Sequence, residues 1–184
     1  MLQEVKRVNS MKRLLIVVDF QNDFVSGSLG FESAKELDER IAKRIQEYRD
    51  SDDQVIFTYD THEEDYLETV EGKYLPVKHC IKGSDGHKLY GKVATLKEES
   101  DLCFEKKTFP SLDLANYLSN KNYKSVELCG LVSNICVLSN VVMVKSSLPN
   151  VEIYVDKSLT KSFDEELNEA CFKILKGLHI NVIE

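Results

Sequence analysis

The 184-residue chain has no apolar run long enough to cross a bilayer. Stretches such as Leu14 to Val18 and Val141 to Val144 fall far short of the ~20 residues a spanning helix needs. The first ten residues, MLQEVKRVNS, lack the apolar stretch of a secretory signal. Positive charge is also short: 24 lysines and arginines stand against 31 acids, a formal net charge of −7. That is the wrong sign for a general nucleic-acid binder. The five cysteines (80, 103, 129, 136 and 171) include no CxxC pair. An odd number without an export signal argues for reduced thiols, not a disulfide frame. With three prolines, eight glycines and no repeat or low-complexity tract, nothing marks a linker. These absences predict one domain over residues 1–184, cytoplasmic, with no membrane and no nucleic-acid partner.

Hydrophobic residues at 42% and charged residues at 30% suffice to build a core. Arg13 to Asp19 (RLLIVVD) is a continuous apolar run ending in an acid, the pattern of a strand buried on both faces. Further strands are expected at Val55 to Tyr59, Cys103 to Lys107, Ser125 to Gly130, Val151 to Asp156 and Ile180 to Ile183. Helical spacing marks Glu32 to Tyr48, Ser111 to Ser119, Asn134 to Ser147 and Asp164 to Leu178. Residues 61–102 read as a long excursion with short elements. Strand alternating with helix predicts an α/β fold, a three-layer sandwich around a mainly parallel twisted sheet. Ligands of such sheets bind beyond the carboxyl ends of the strands.

Four features fall at those ends: Asp19, Asp60, Lys107 and the loop after Gly130. Each has a bland reading: Asp19 as a turn former, Lys107 as a solvated lysine, any cysteine as a small buried hydrophobe. Adjacent lysines in a strand point to opposite faces, so one of Lys106 and Lys107 is solvated while the other enters a site; Lys107 is assigned the site. Cys136 falls in the first turn of an apolar helix, where free N–H groups lower a thiol pKa and stabilise an oxyanion. Asp19, Lys107 and Cys136 thus form an acid–base set able to drive a cysteine onto an acyl carbon. Asp60 and His62, two apart, share one face of an extended chain and with His79 suit zinc, iron or manganese better than calcium. Cys129 reads as core, His87 as loop and His179 as structural.

The segments VVDFQNDF, YDTH with a later histidine, EKKTFPS and CGLVSNICV together resemble the isochorismatase-like cysteine hydrolases, and among these the nicotinamidase (pyrazinamidase) branch. The likeness runs from about Lys12 to the C-terminus. It implies that Asp19 is the general base, Lys107 the orienting cation and Cys136 the nucleophile. It further implies metal ligands at Asp60, His62 and His79, with Glu71 as a fourth, and one divalent ion, zinc ahead of iron or manganese. Phe24 resembles the aromatic that packs on a pyridine ring. The backbone N–H groups of Val132 and Cys136 match the oxyanion hole, after a non-proline cis peptide at Leu131–Val132.

Two departures stand out. Ser133-Asn134 replaces the usual Thr-Asp, and Thr108-Phe109-Pro110-Ser111-Leu112 replaces a Tyr-Ser-Ala-Phe segment on the pocket wall. With no tryptophan in the chain, Phe24 together with Phe109 or Tyr66 must supply the stacking surface. The resemblance implies deamidation of nicotinamide to nicotinate and ammonia through a thioester. The alternatives are another small amide or ureide, or a degenerate binding module. Vinyl-ether hydrolysis of isochorismate needs neither the cysteine nor the Asp-x-His pair. The apolar helix from Asn134, carrying Val137, Leu138, Val141, Val142 and Val144, is either buried in the domain or a subunit interface. A homo-oligomer, dimer or tetramer, is expected from the relatives.

Overall fold

Alternation along one strand sets up the architecture. In β1 (Arg13–Val18), Leu14, Ile16 and Val18 join one apolar cluster and Leu15 and Val17 another. All five are fully buried, so both faces of the strand require cover. The computed structural model describes residues 11–184; the reading of the first ten residues as free of an export signal lies outside the described residues. After β1 come α1 (Asn22–Val25), α2 (Glu32–Lys35), α3 (Leu37–Asp50) and β2 (Gln54–Asp60). The excursion that follows holds α4 (Val70–Tyr74) and α5 (Gly91–Leu96) and returns into β3 (Leu102–Lys106) and α6 (Leu112–Leu118). The last third is β4 (Ser125–Leu131), α7 (Leu138–Ser147), β5 (Glu152–Lys161), α8 (Glu165–Gly177) and β6 (Asn181–Ile183).

The six strands form one parallel sheet in the order β3-β2-β1-β4-β5-β6. Residues of α3 and α5 fill the cluster under Leu15 and Val17, and residues of α6, α7 and α8 fill the opposite one. This is the three-layer sandwich expected from the alternating pattern. Strand order reverses between β1 and β4, which opens a crevice at their carboxyl ends. None of the helices among the described residues is long and apolar enough to cross a membrane.

Local chemistry explains where the elements start and stop. Ser111 and Asp164 cap α6 and α8 by accepting the N–H groups of Leu114 (3.2 Å) and Leu167 (2.9 Å). The helix expected from Glu32 to Tyr48 is two helices joined at Glu36; the second buries Leu37, Ile41, Ala42, Ile45 and Tyr48 as one stripe. The same helix meets a buried acid, Glu127 of β4, through the Tyr48 hydroxyl (2.8 Å) and the Arg44 guanidinium. Arg44 reaches Asp156 of β5 as well, at 3.1 Å. The helix expected from Asn134 opens as a wide π-turn, Ser133–Val137, before α7 begins. In α7, Val141 and Val144 are buried in the core and Val142 is exposed.

Gly130 connects the sheet to that turn. Its φ is +108°, and a Cβ there would run into the Val18 backbone of the neighbouring strand. Its carbonyl meanwhile accepts the Thr160 hydroxyl at 2.8 Å. Only glycine meets both demands. Gly130→Ala is expected to lower stability by at least about 1–3 kcal/mol, measured as a shift of the urea midpoint at unchanged m-value.

Candidate active site

Asp19 leaves β1 with φ +47°, a left-handed conformation that aspartate tolerates better than most side chains. The turn sends its carboxylate into the crevice, where it is fully buried. Its Oδ1 accepts the Thr58 hydroxyl of β2 at 2.6 Å, and its Oδ2 lies 2.6 Å from the Nζ of Lys106. That ammonium donates to the Thr108 carbonyl at 3.1 Å and stands 3.3 Å from Asp60 Oδ1 and 3.6 Å from Cys136 Sγ. Asp19 and Cys136 thus share Lys106 as a common neighbour.

The lysine of the site is therefore Lys106 and not Lys107. Sequence parity is obeyed, with one lysine inward and one outward, but the assignment is inverted. β3 ends at Lys106, and Lys107 is an exposed residue beyond it. Phe104, which packs against the core cluster under β1, shares its face with Lys106 two residues on. That apolar residue was the signal in the sequence that selects between the two lysines.

Burial pushes the Cys136 thiol well above its ordinary pKa; Lys106 pulls it down and the Asp19 carboxylate raises it further. Burial and Asp19 thus oppose the thiolate-favouring effect expected of the helix start. Burial likewise raises the pKa of Asp19, against the pull of Lys106. For Lys106, burial alone would lower the pKa, but Asp19, the Cys136 sulfur and Asp60 together raise it. The cation stays charged, beside a carboxylate whose proton affinity is raised toward that of a useful base.

The turn carrying Cys136 is held from several sides. The Leu131–Val132 peptide is cis, as the resemblance implied. The Val132 carbonyl takes the N–H groups of both Ile135 and Val137, each at 3.2 Å, bypassing that of Cys136. Asn140, fully buried on α7, donates through Nδ2 to the carbonyls of Cys136 (2.8 Å) and Phe109 (3.1 Å). Its Oδ1 accepts the Ser111 N–H at 3.0 Å. One amide thus joins the turn of Cys136 to the wall at 108–111. Gln21 plays a similar part on the other side. It holds Asp60 by both backbone groups, accepting the N–H at 2.8 Å and donating to the carbonyl at 2.9 Å. Sequence reasoning missed Thr58, Gln21 and Asn140, because contacts between distant segments leave no local pattern.

Asp60, His62, His79 and Glu71 form one group, each offering an atom within 4.8 Å of the others'. His62 Nε2 lies 3.0 Å from Asp60 Oδ2 and His79 Nε2 3.3 Å from it; both imidazoles are 3.7 Å from Glu71 Oε1. His79 Nδ1 lies 2.8 Å from the Val77 carbonyl, a bond that fixes the tautomer and leaves Nε2 for an ion. Burial alone would raise the pKa of Asp60, but hydrogen bonds from His62 and His79, with Lys106, hold it well below the carboxylate range. Two imidazoles and two carboxylates at this spacing are a donor set suited to a divalent ion such as zinc.

A cavity of about 350 Å³ opens onto both groups, reaching Cys136 and Val132 on one side and Asp60, Glu71 and His79 on another. Phe24 lies in its wall, with its ring 5.5 Å from that of His79. Phe109 lines it too and also borders a second, outer cavity that includes Lys107. Tyr66 does not reach the cavity. It is fully buried behind the metal group, 4.6 Å from the His62 ring and 4.9 Å from that of His79. Its hydroxyl is spent on the Leu75 carbonyl at 2.9 Å. Phe31 and Phe163, which the sequence did not single out, supply further aromatic wall.

Comparison with known proteins matches the isochorismatase domain over residues 13–184. The chain is 31% identical over 167 residues to the isochorismatase family protein PncA of Bacillus subtilis (strain 168), covering 85% of this chain and 90% of that one. Among solved structures, the pyrazinamidase/nicotinamidase of Streptococcus mutans UA159 superposes with a TM-score of 0.84 at 27% identity, over 94% of this chain and all of that one. The pyrazinamidase of Pyrococcus horikoshii in complex with zinc gives a TM-score of 0.81 at 21% identity, over 94% and 99%, which establishes likeness of fold.

The two lysines are separable by stability alone. Lys106→Met leaves two buried carboxylates without their cation and is expected to cost about 3–5 kcal/mol. Lys107→Met, at an exposed position, is expected to stay within about 0.5 kcal/mol of the parent. Urea unfolding of the metal-free proteins checks both.

Proposed function

We propose that this chain, which belongs to the isochorismatase family and is a hydrolase of amide C–N bonds, deamidates nicotinamide to nicotinate and ammonia through a thioester on Cys136. The observation that carries this reading is the placing of one ammonium, that of Lys106, 2.6 Å from Asp19, 3.6 Å from Cys136 and 3.3 Å from the metal-group acid Asp60. Cys136 and Asp60 both line one small cavity, and Asp19 lies buried against the same ammonium. The names of the Streptococcus and Pyrococcus relatives support the same substrate class.

In the proposed reaction, Asp19 accepts the Cys136 proton as sulfur bonds to the carboxamide carbon. The carbonyl oxygen takes up the negative charge and meets the N–H groups of Val132 and Cys136. A well-aimed donor of this kind contributes on the order of 3 kcal/mol to the transition state. Asp19 returns its proton to the amide nitrogen as the C–N bond breaks and ammonia leaves. It then takes a proton from water, which adds to the thioester carbon; the C–S bond breaks and the sulfur is reprotonated. Lys106 keeps Asp19 oriented and offsets the negative charge present at each stage.

Asp60, His62, His79 and Glu71 would hold the divalent ion, with zinc favoured by the donor set over iron or manganese. When bound, it supplies Lewis acidity that anchors a ring nitrogen. Phe24 presents a face on which the same ring stacks. The carbon wall speaks against ureides and carbamoyl compounds, whose polar far ends would lose hydration without gaining a partner.

Cys136→Ala is expected to abolish turnover of nicotinamide while the metal content, read by mass spectrometry of the purified protein, stays that of the parent. Retained turnover would refute the nucleophile. In a panel of nicotinamide, pyrazinamide and aliphatic amides, kcat/KM is expected to favour the two heteroaromatic amides; preference for an aliphatic amide would overturn the substrate assignment.

A further inference from the structure

The titratable groups in the cavity lining are Asp60, Glu71, His79 and Cys136. Three belong to the metal group, and Lys106 links Asp60 to the cysteine at 3.3 and 3.6 Å. A single-ring carboxamide uses these groups and the face of Phe24. The rest of the lining is carbon or backbone, and one part of it is Leu29, Gly30 and Phe31 after α1 with Phe163 before α8. Phe31 and Phe163 meet edge to face, 6.2 Å between ring centroids, yet Phe163 is 64% exposed. A volume of about 350 Å³ falls in the ~300–1,000 Å³ range of pockets that enclose drug-sized ligands, more than one small ring fills.

This part is also preformed. Asp23 accepts the N–H groups of Ser28 at 3.2 Å and, through its carbonyl, Leu29 at 2.9 Å, while Gly30 donates to the Gly27 carbonyl at 3.0 Å. The second Asp23 carboxylate oxygen accepts the Cys80 N–H at 2.8 Å, tying the loop to the segment that carries His79. Water against such carbon walls has few partners, and an apolar group that displaces it gains.

We propose that this phenylalanine-lined part is a second subsite for an apolar ring substituent. The enzyme then hydrolyses heteroaryl carboxamides carrying an alkyl group or a fused second ring in preference to nicotinamide itself. This rests on the amidase reading above and extends its substrate class.

The test compares kcat/KM of the metal-loaded enzyme on nicotinamide, on nicotinamides alkylated at each free ring carbon, and on quinoline-3-carboxamide. At least one substituted amide is expected to exceed nicotinamide by about tenfold, the size of effect one or two buried carbons exert in an apolar pocket. Leu29→Trp fills the subsite and is expected to cut the ratio of substituted to unsubstituted kcat/KM by about tenfold. Phe163→Ala removes an exposed wall without burdening the core, and is expected to cut the same ratio about fivefold. Turnover of nicotinamide with every substituted amide slower would overturn the subsite and leave the amidase reading standing. Unchanged ratios in both variants would overturn it too. Failure on every amide, nicotinamide included, would remove both readings.

Discussion

A lysine ammonium buried among two carboxylates and a thiol holds the two halves of the site together. Asp19 on one side and Asp60 on the other both face the Nζ of Lys106. Without that charge between them, the carboxylates would repel across a poorly solvated gap. The lysine comes from the edge of the sheet. β3 pairs only with β2, and Asp60 stands opposite Lys106 in that pairing. The register of a short edge strand therefore decides whether Asp19, Cys136 and the group around Asp60 share one electrostatic centre. A slip by a single residue would turn Lys107 inward and leave its neighbour in solvent.

The interior of the sheet supplies the precision that an edge strand lacks. β1 and β4 lie side by side where strand order reverses, and each ends in backbone few residues adopt: the left-handed Asp19 and the extreme φ of Gly130. The first aims a carboxylate and the second lets the strands approach closely enough for the following turn to bring in Cys136. Gln21 extends this precision to Asp60 by gripping both of its backbone groups. The arrangement is thus fixed by backbone contacts on three neighbouring strands, and the side chains inherit their positions.

Much of this was legible in the sequence. Apolar runs ending in acids marked β1 and β2, since a doubly covered strand needs carbon on both faces and turns polar where it leaves the sheet. Helical spacing located α3, α6 and α8 to within a few residues. The segments around Asp19, Asp60-x-His62 and Cys136 were readable because they sit at strand ends. The lysine was misassigned because the strand was extended one residue too far; counting by twos from Phe104 places Lys106 on the inner face. Tyr66 was offered as a stacking surface on composition alone, and its fully buried place behind His62 and His79 depends on a loop path that no periodicity encodes. The wide turn at Ser133–Val137, the break at Glu36 and the clamps by Gln21 and Asn140 were invisible for the same reason: each arises from tertiary contacts, which a local pattern does not record.

The side-chain amide of Asn140 binds the carbonyl of Cys136 and the backbone on either side of Pro110 at once. Pocket shape and sulfur position are consequently one mechanical unit. The 108–111 segment is therefore not interchangeable like a cassette: a replacement whose backbone failed to meet that amide would move the sulfur along with the wall.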